Sequence, residues 1–175
     1  MGNILTTRRL ALREAVTADA PFMRALLNDA GFLANIGDRG VRSDQQAEAY
    51  IRERMMAVYA RDGFGFYVVE LRDSREPIGI CGFVQRAGLS APDLGFALLQ
   101  GHVGRGHGLE AGSAMLRHGR EVLGLGAILA IARPTNVASI GLLTRLGFED
   151  RGLVELPGID GTSRLMEVVA AAPMV

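Results

Sequence analysis

The chain has 175 residues, 49% of them apolar and 22% charged, which suits one globular domain with its own core and excludes a disordered chain. Nineteen basic and nineteen acidic residues cancel, so no charge excess points to bulk nucleic acid or an anionic membrane as a partner. No window approaches the roughly 18 consecutive apolar residues of a membrane span. MGNILTTRR has no signal-peptide apolar region, so a cytoplasmic protein is the expectation.

Arg9 to Ala15 alternates around Leu10 and Leu12 and predicts a first strand. Asp19 stands where it can cap a helix entered through Pro21, with Phe22, Leu26 and Leu27 turned inward. GFLANIGDRG reads as a loop or a broken helix. Ser43-Asp-Gln-Gln46 matches a capping box; Ala47, Ile51, Met55 and Val58 form the buried stripe behind it, and Gly63 ends that helix. Phe64 to Leu71 and Pro77 to Gln85 predict a hairpin about the turn RDSREP, followed by a strand from Asp93. The single cysteine, Cys81, lies inside the apolar run PIGICGFV, which predicts a buried thiol and offers no nucleophile. After GHVGRGHG, small or apolar residues at Gly112, Leu116, Gly119 and Leu123 mark one face of a helix. The run Ala127 to Ala132 is apolar at every position, as in a strand covered on both faces, and predicts a right-handed parallel crossover. PTN opens a further helix, Val137 to Leu146, stopped by Gly147. Phe148 to Leu156 and Arg164 to Ala170 predict a closing antiparallel pair. The order gives a mixed α/β sheet in a single domain spanning 1–175.

The most informative stretch runs from Asp93 to Gly124. Gly101, Gly104, Gly106 and Gly108 lie between a strand and a helix start, where backbone N–H groups can meet a bulky anion without a Cβ in the way. The helix start adds unpaired donors and a partial positive charge. Together these make a site for phosphate or pyrophosphate, and a flexible glycine-rich connector is the other reading of the same residues. A nucleotide P-loop needs a lysine, and the chain has none. A dinucleotide fingerprint can be threaded through Gly106, Gly108 and Ala111, but the next strand ends in arginine and proline where an acidic ribose ligand belongs.

Taken with RPTNVASIGLLTRLGFE, residues 133–149, this stretch resembles the GNAT superfamily of acyl-CoA-dependent N-acyltransferases, and within it the ribosomal-protein-alanine N-acetyltransferase type. The family's loop Q/R-x-x-G-x-G/A falls on Val103, Gly104, Arg105, Gly106, His107 and Gly108, with Val103 departing from the first position. N-x-x-S falls on Asn136 and Ser139, and L-G-F on Leu146, Gly147 and Phe148. TTRRLALRE, SDQQAEAYIRER and EPIGICGFV are similar to the same subgroup.

The resemblance implies a GNAT-like fold of about seven strands, mostly antiparallel around a central splayed parallel pair, with about four helices. It implies acetyl-CoA as the acyl donor, no metal, and direct transfer to a primary amine, either a protein N-terminal α-amine or a small molecule. Amides from Val103 to Gly108 would hold the pyrophosphate. The pantetheine arm would run beside the strand at Leu98 and Leu99, and a backbone N–H near Leu99 would meet the thioester oxygen. The tyrosine acid of many members falls on Leu143, leaving Ser139 as substitute acid or as an ordinary helix serine. Asn136 has a cofactor contact and a helix cap open to it. Asp93 stands in the family's acidic neighbourhood as base or turn residue, and His102 and His107 as proton relay or, the better reading, solvated turn residues. The non-enzymatic alternative is an acyl-CoA-binding sensor. Edge strands make a homodimer compatible with this fold.

Overall fold

The structure, a computed structural model, describes residues 2–168. Its strands are β1 (Leu5–Thr6), β2 (Leu10–Arg13), β3 (Phe66–Leu71), β4 (Pro77–Val84), β5 (Asp93–Leu98), β6 (Ile128–Ala132), β7 (Glu149–Glu155) and β8 (Thr162–Val168). The α-helices are α1 (Ala20–Leu27), α2 (Ala30–Asn35), α3 (Asp44–Ile51), α4 (Ala57–Asp62), α5 (His107–Glu121) and α6 (Val137–Arg145). All eight strands join one sheet in the order β1-β2-β3-β4-β5-β6-β8-β7. Neighbours are antiparallel except β5 and β6, which are parallel. The mixed sheet with one parallel pair expected from the element order is therefore present. It has eight strands where about seven were expected, because β1 is a two-residue strand too short to leave a periodic trace. The expected strand end at Ala170 lies outside the described residues.

The sheet separates two apolar clusters. On one side α5 and α6 pack Met115, Leu116 and Leu143 against Leu10, Leu12, Phe83, Leu94 and Ile128. On the other, α1, α2 and α3 pack Met23, Leu26, Phe32 and Ile51 against Val68, Ile80 and Ala97. Cys81 is buried, which pushes its thiol up to about 12 and keeps it protonated.

The helix behind the capping box is formed as expected: Ser43 Oγ accepts from Gln46 N–H at 3.2 Å, and Gln46 Oε1 accepts from Ser43 N–H at 3.2 Å. Between α3 and α4 a π-helical turn spans Arg52–Met56. The buried residues Ala47, Ile51 and Met55 recur every four positions, a longer spacing than the 3.6 of an α-helix, and the wider π-turn keeps Met55 on the core side. Gly63 closes α4 in the left-handed region, with φ of 76°.

One local expectation is corrected and one pair of alternatives is resolved. Asp19 stands at the start of α1 but makes no side-chain cap; Arg13 engages both of its carboxylate oxygens, at 2.8 and 2.9 Å, and Val16 N–H donates to it as well. The half-buried guanidinium of Arg13, six positions earlier at the end of β2, outcompetes the helix amides for that carboxylate. The stretch GFLANIGDRG begins with the last five residues of the six-residue helix α2 and continues as a loop, so of the two readings the broken helix is the one found. Asp29 caps it by accepting from Gly31 N–H at 3.0 Å, and its other oxygen accepts from Gln100 N–H at 3.1 Å. That carboxylate fixes α2 to the end of β5.

Candidate active site

The parallel strands β5 and β6 meet in register at Asp93 and Leu129, where Leu129 N–H donates to Pro92 O at 2.9 Å. Beyond that point no further register pair joins them, so the sheet opens toward the carboxyl ends of both strands. On the other side of β5, Leu99 N–H donates to Ile78 O at 2.9 Å. Backbone groups alternate sides along a strand, so Ala97 and Leu99 address β4, while the polar groups of Phe96 and Leu98 face the opening. The amide of Leu99 itself is thus taken, and the adjacent amide directed into the opening is that of Leu98.

The glycine-dense bend follows. Gly104 and Gly106 have φ of 76° and 79°, left-handed values that glycine adopts without strain. His102 and Val103 N–H groups close a tight turn on Leu99 O and Gln100 O. The amides of Gly104, Arg105, Gly106, His107, Gly108 and Leu109 have no acceptor among the described residues. Residues Val103 to Gly106 are exposed, and a Cβ at Gly104 would meet nothing within 4 Å. α5 begins at His107, two residues before the expected Leu109, and its first helical bond runs from Glu110 N–H to Gly106 O at 3.1 Å. The first-turn donors therefore add to the open amides of the bend.

Gly108 is buried and has a second role. A Cβ there would stand 2.8 Å from Leu142 Cδ1 and 3.7 Å from Leu98 Cδ1, so the missing side chain lets α6 and β5 converge on the start of α5. Because β5 and β6 are parallel, the bend and the start of α6 leave the sheet at the same end. Asn136 Oδ1 accepts from Ser139 N–H at 3.2 Å, capping α6 and placing half-buried Ser139 in its first turn. Leu143 is a core residue, 1% exposed.

Asp93 is not brought together with these groups. It opens β5, five residues or roughly 16 Å before the strand's far end. It is 1% exposed, and Arg86 Nε donates to both of its oxygens at 2.9 and 3.0 Å. Burial raises its pKa and Arg86 opposes that rise. The histidines are not the solvated turn residues expected. His107 is buried with Nδ1 unpartnered among the described residues; burial, and then the charge of Arg9, hold its pKa down. His102 is half-buried, with Nε2 3.6 Å from Glu76 Oε1. Beside them a cavity of about 360 Å³ is lined by Arg8, Arg9, Leu71, Asp73, Ser74 and His107.

One cluster brings together residues whose pairing nothing in the sequence announced. Arg9 Nε donates to Glu110 Oε2 at 2.6 Å, Arg9 N–H and Thr7 Oγ1 donate to Glu110 Oε1 at 2.9 and 2.6 Å, and Arg9 Nη1 donates to Arg105 O at 2.9 Å. These partners lie about a hundred positions apart, beyond the reach of any local pattern. Among the described residues, no cluster of His, Cys, Asp and Glu could hold a metal ion, and no helix is long and apolar enough to cross a membrane.

A mixed sheet splayed at its one parallel pair, with an amide-lined bend and a helix start at the mouth, is the architecture of an acyltransferase. A family model described as an acetyltransferase (GNAT) domain matches residues 9–149, and the chain belongs to the GNAT acetyltransferases. It is 30% identical over 152 residues to YoaA of Bacillus subtilis, described as an uncharacterised N-acetyltransferase, covering 86% of this chain and 85% of that one. An acetyltransferase from Agrobacterium tumefaciens superposes with a TM-score of 0.82 at 24% identity, over 97% of this chain and 95% of the other. RimL, a ribosomal α-N-protein acetyltransferase solved in complex with coenzyme A, shares the fold at a TM-score of 0.81 and 19% identity, over 96% and 98% of the two chains.

Proposed function

We propose that this enzyme transfers an acetyl group from acetyl-CoA directly to a primary amine, with both substrates bound together. The observation that carries the reading is the run of amides from Gly104 to Leu109 at the mouth of the splayed strands, none with an acceptor among the described residues and the first three exposed. Such a run matches a diphosphate, whose charge the start of α5 also favours. The donor would supply the acetyl group already activated as a thioester.

The chain's own groups divide the remaining work. The bend from Val103 to Gly108 binds the diphosphate, and the exposed side chain of Val103 offers an apolar contact next to it. The backbone groups of Leu98 guide the pantetheine arm, its N–H donating to the carbonyl oxygen as that oxygen gains charge, while Leu99, with its N–H on Ile78 O and its C=O on His102 N–H, holds the strand end in place. Ser139, fixed by the Asn136 cap, returns a proton to the departing sulfur. Asn136 borders the same opening and contacts the donor. Asp93 is the acidic candidate for accepting the amine proton; since Arg86 occupies both its oxygens, we assign it to holding the closed end of the strand pair. An α-amine, with a pKa of about 7.7–8.0 against about 10.4 for lysine, needs no dedicated base. The acceptor we favour is accordingly a peptide N-terminus, as the likeness to a ribosomal α-N-protein acetyltransferase also suggests. The exposed edge strand β7 leaves room for a homodimer.

The core position of Leu143, where many family members carry a tyrosine acid, supports a second reading: a protein that binds acyl-CoA without turning it over. Incubating the protein with acetyl-CoA and a panel of peptides and small amines, and measuring free thiol, separates the two. Amine-dependent thiol release is expected. Coenzyme A binding with no release for any amine would favour the sensor.

A further inference from the structure

The bend's amides are open because something holds the bend in that shape, and the structure shows what does. We propose that Arg9, locked in place by Glu110 and Thr7, is a positioning residue for the donor's diphosphate, acting through the carbonyl of Arg105. The proposal rests on the bend being the donor site.

The argument starts from the peptide plane. No peptide bond among the described residues is cis, and in a trans peptide the C=O and the following N–H point in opposite directions. Arg9 Nη1 donates to the Arg105 carbonyl at 2.9 Å, so the N–H of Gly106 is directed away from the Arg9 side chain. The same guanidinium lies under Gly106, where Nη2 is 3.3 Å from the place a Cβ would take. One side chain therefore sets the orientation of the central peptide of the bend and supports the residue after it.

Arg9 is itself immobilised. Both oxygens of Glu110 are engaged, one by Arg9 Nε and the other by Arg9 N–H and the Thr7 hydroxyl. Glu110 sits in the first turn of α5, where a bare carboxylate would repel an incoming diphosphate. Pairing with Arg9 cancels that charge. A plain tether of the β1–β2 turn to α5 would need only the contacts to Glu110; the bond to Arg105 O acts on the bend directly.

The test compares coenzyme A with S-acetylpantetheine, which lacks the diphosphate, each titrated into wild type, Arg9→Ala, Arg9→Lys and Glu110→Gln. Circular dichroism melts report folding. The affinity for coenzyme A should fall at least about tenfold in Arg9→Ala, equivalent to about 1.4 kcal/mol. The affinity for S-acetylpantetheine should stay within about twofold, so that the ratio of the two falls. Lysine should not rescue, because a single ammonium cannot replace the planar fork that spans Glu110 and Arg105 O. Equal weakening of both ligands means general loosening and overturns the proposal, as does an unchanged ratio in a folded variant. If Arg9→Ala fails to fold, the ratio in Arg9→Lys and Glu110→Gln decides by the same criteria. Failure of the wild type to bind coenzyme A at all would instead bring down the donor-site assignment itself.

Discussion

Arg86 donates its Nε–H to both carboxylate oxygens of Asp93, at 2.9 and 3.0 Å, directly beside the one residue pair that holds β5 and β6 in parallel register. The opening between the strands begins where this ion pair ends. Removing Arg86 leaves a carboxylate that is 1% exposed without its counter-charge, a change that costs about 3–5 kcal/mol when a buried pair is broken. Because Arg86 keeps some solvent access, Arg86→Ala should fall toward the lower end in urea unfolding. The deficit should shrink on acidification: Asp93 has its folded pKa raised above the ordinary 3.8, so the fold favours the protonated form and loses that preference as pH rises through the folded value. Asp93→Asn should lower stability yet keep kcat within about tenfold; a loss of about 100-fold or more would mark Asp93 as a base after all.

Gly106→Glu should abolish coenzyme A binding in a protein whose circular dichroism spectrum is unchanged. The position has φ of 79°, where any side chain is strained by about 1–2 kcal/mol, and the new carboxylate would oppose the diphosphate. Gly104→Ala, at φ of 76° with open space around it, should weaken binding less, because strain is its only penalty. Calorimetry on both variants gives the comparison, and undiminished affinity in Gly106→Glu would remove the bend from the donor site.

Ser139→Ala should lower kcat by about 100-fold or more with little change in KM for acetyl-CoA, the range expected when a proton donor is lost. The backbone N–H of Ser139 still reaches Asn136 Oδ1 in this variant, so α6 keeps its cap. A wild-type kcat would make Ser139 an ordinary helix serine and return attention to the second reading. Steady-state kinetics on the best acceptor from the amine panel decide it.

Glu110 should contribute to the acid limb of stability. Burial raises its pKa, but the hydrogen bonds from Thr7 and Arg9 outweigh this and the net shift is below its ordinary 4.5. A carboxylate with a depressed folded pKa stabilises the fold above its unfolded value and loses that contribution as pH falls through the folded one. Glu110→Gln should therefore be less stable than wild type at pH 7, and the two stability curves should converge as pH falls through the folded value in denaturant titrations at a series of pH values.

Much of the frame was legible because it is written locally. The capping box at Ser43, the stripe Ala47, Ile51 and Met55, the stop at Gly63 and the unbroken apolar strand Ile128–Ala132 each follow from a few neighbouring residues. What escaped was settled by side-chain and backbone partners that no local periodicity or capping pattern names. Asp19 has the sequence of a cap, yet Arg13 claims its carboxylate. α2 has little helical signal and is pinned by Asp29 to Gln100. Leu99 and Leu98 differ by one position, and alternation along a strand decides which amide meets the opening. Arg9 and Glu110 look like two unremarkable surface charges until the fold sets them 2.6 Å apart.

The tie between Thr7, Arg9 and Glu110 spans more than a hundred positions, so under the proposed donor site the bend would be complete only once the β1–β2 turn has docked on the start of α5. A chain emerging from the ribosome would carry every glycine of the bend and still hold no ligand until that closure. On that reading an occupied site would fasten the β1–β2 turn to the start of α5: coenzyme A at a hundred times its dissociation constant would add about 2.7 kcal/mol to global stability. The supply of acyl-CoA would then bear on the lifetime of the protein as well as on its rate.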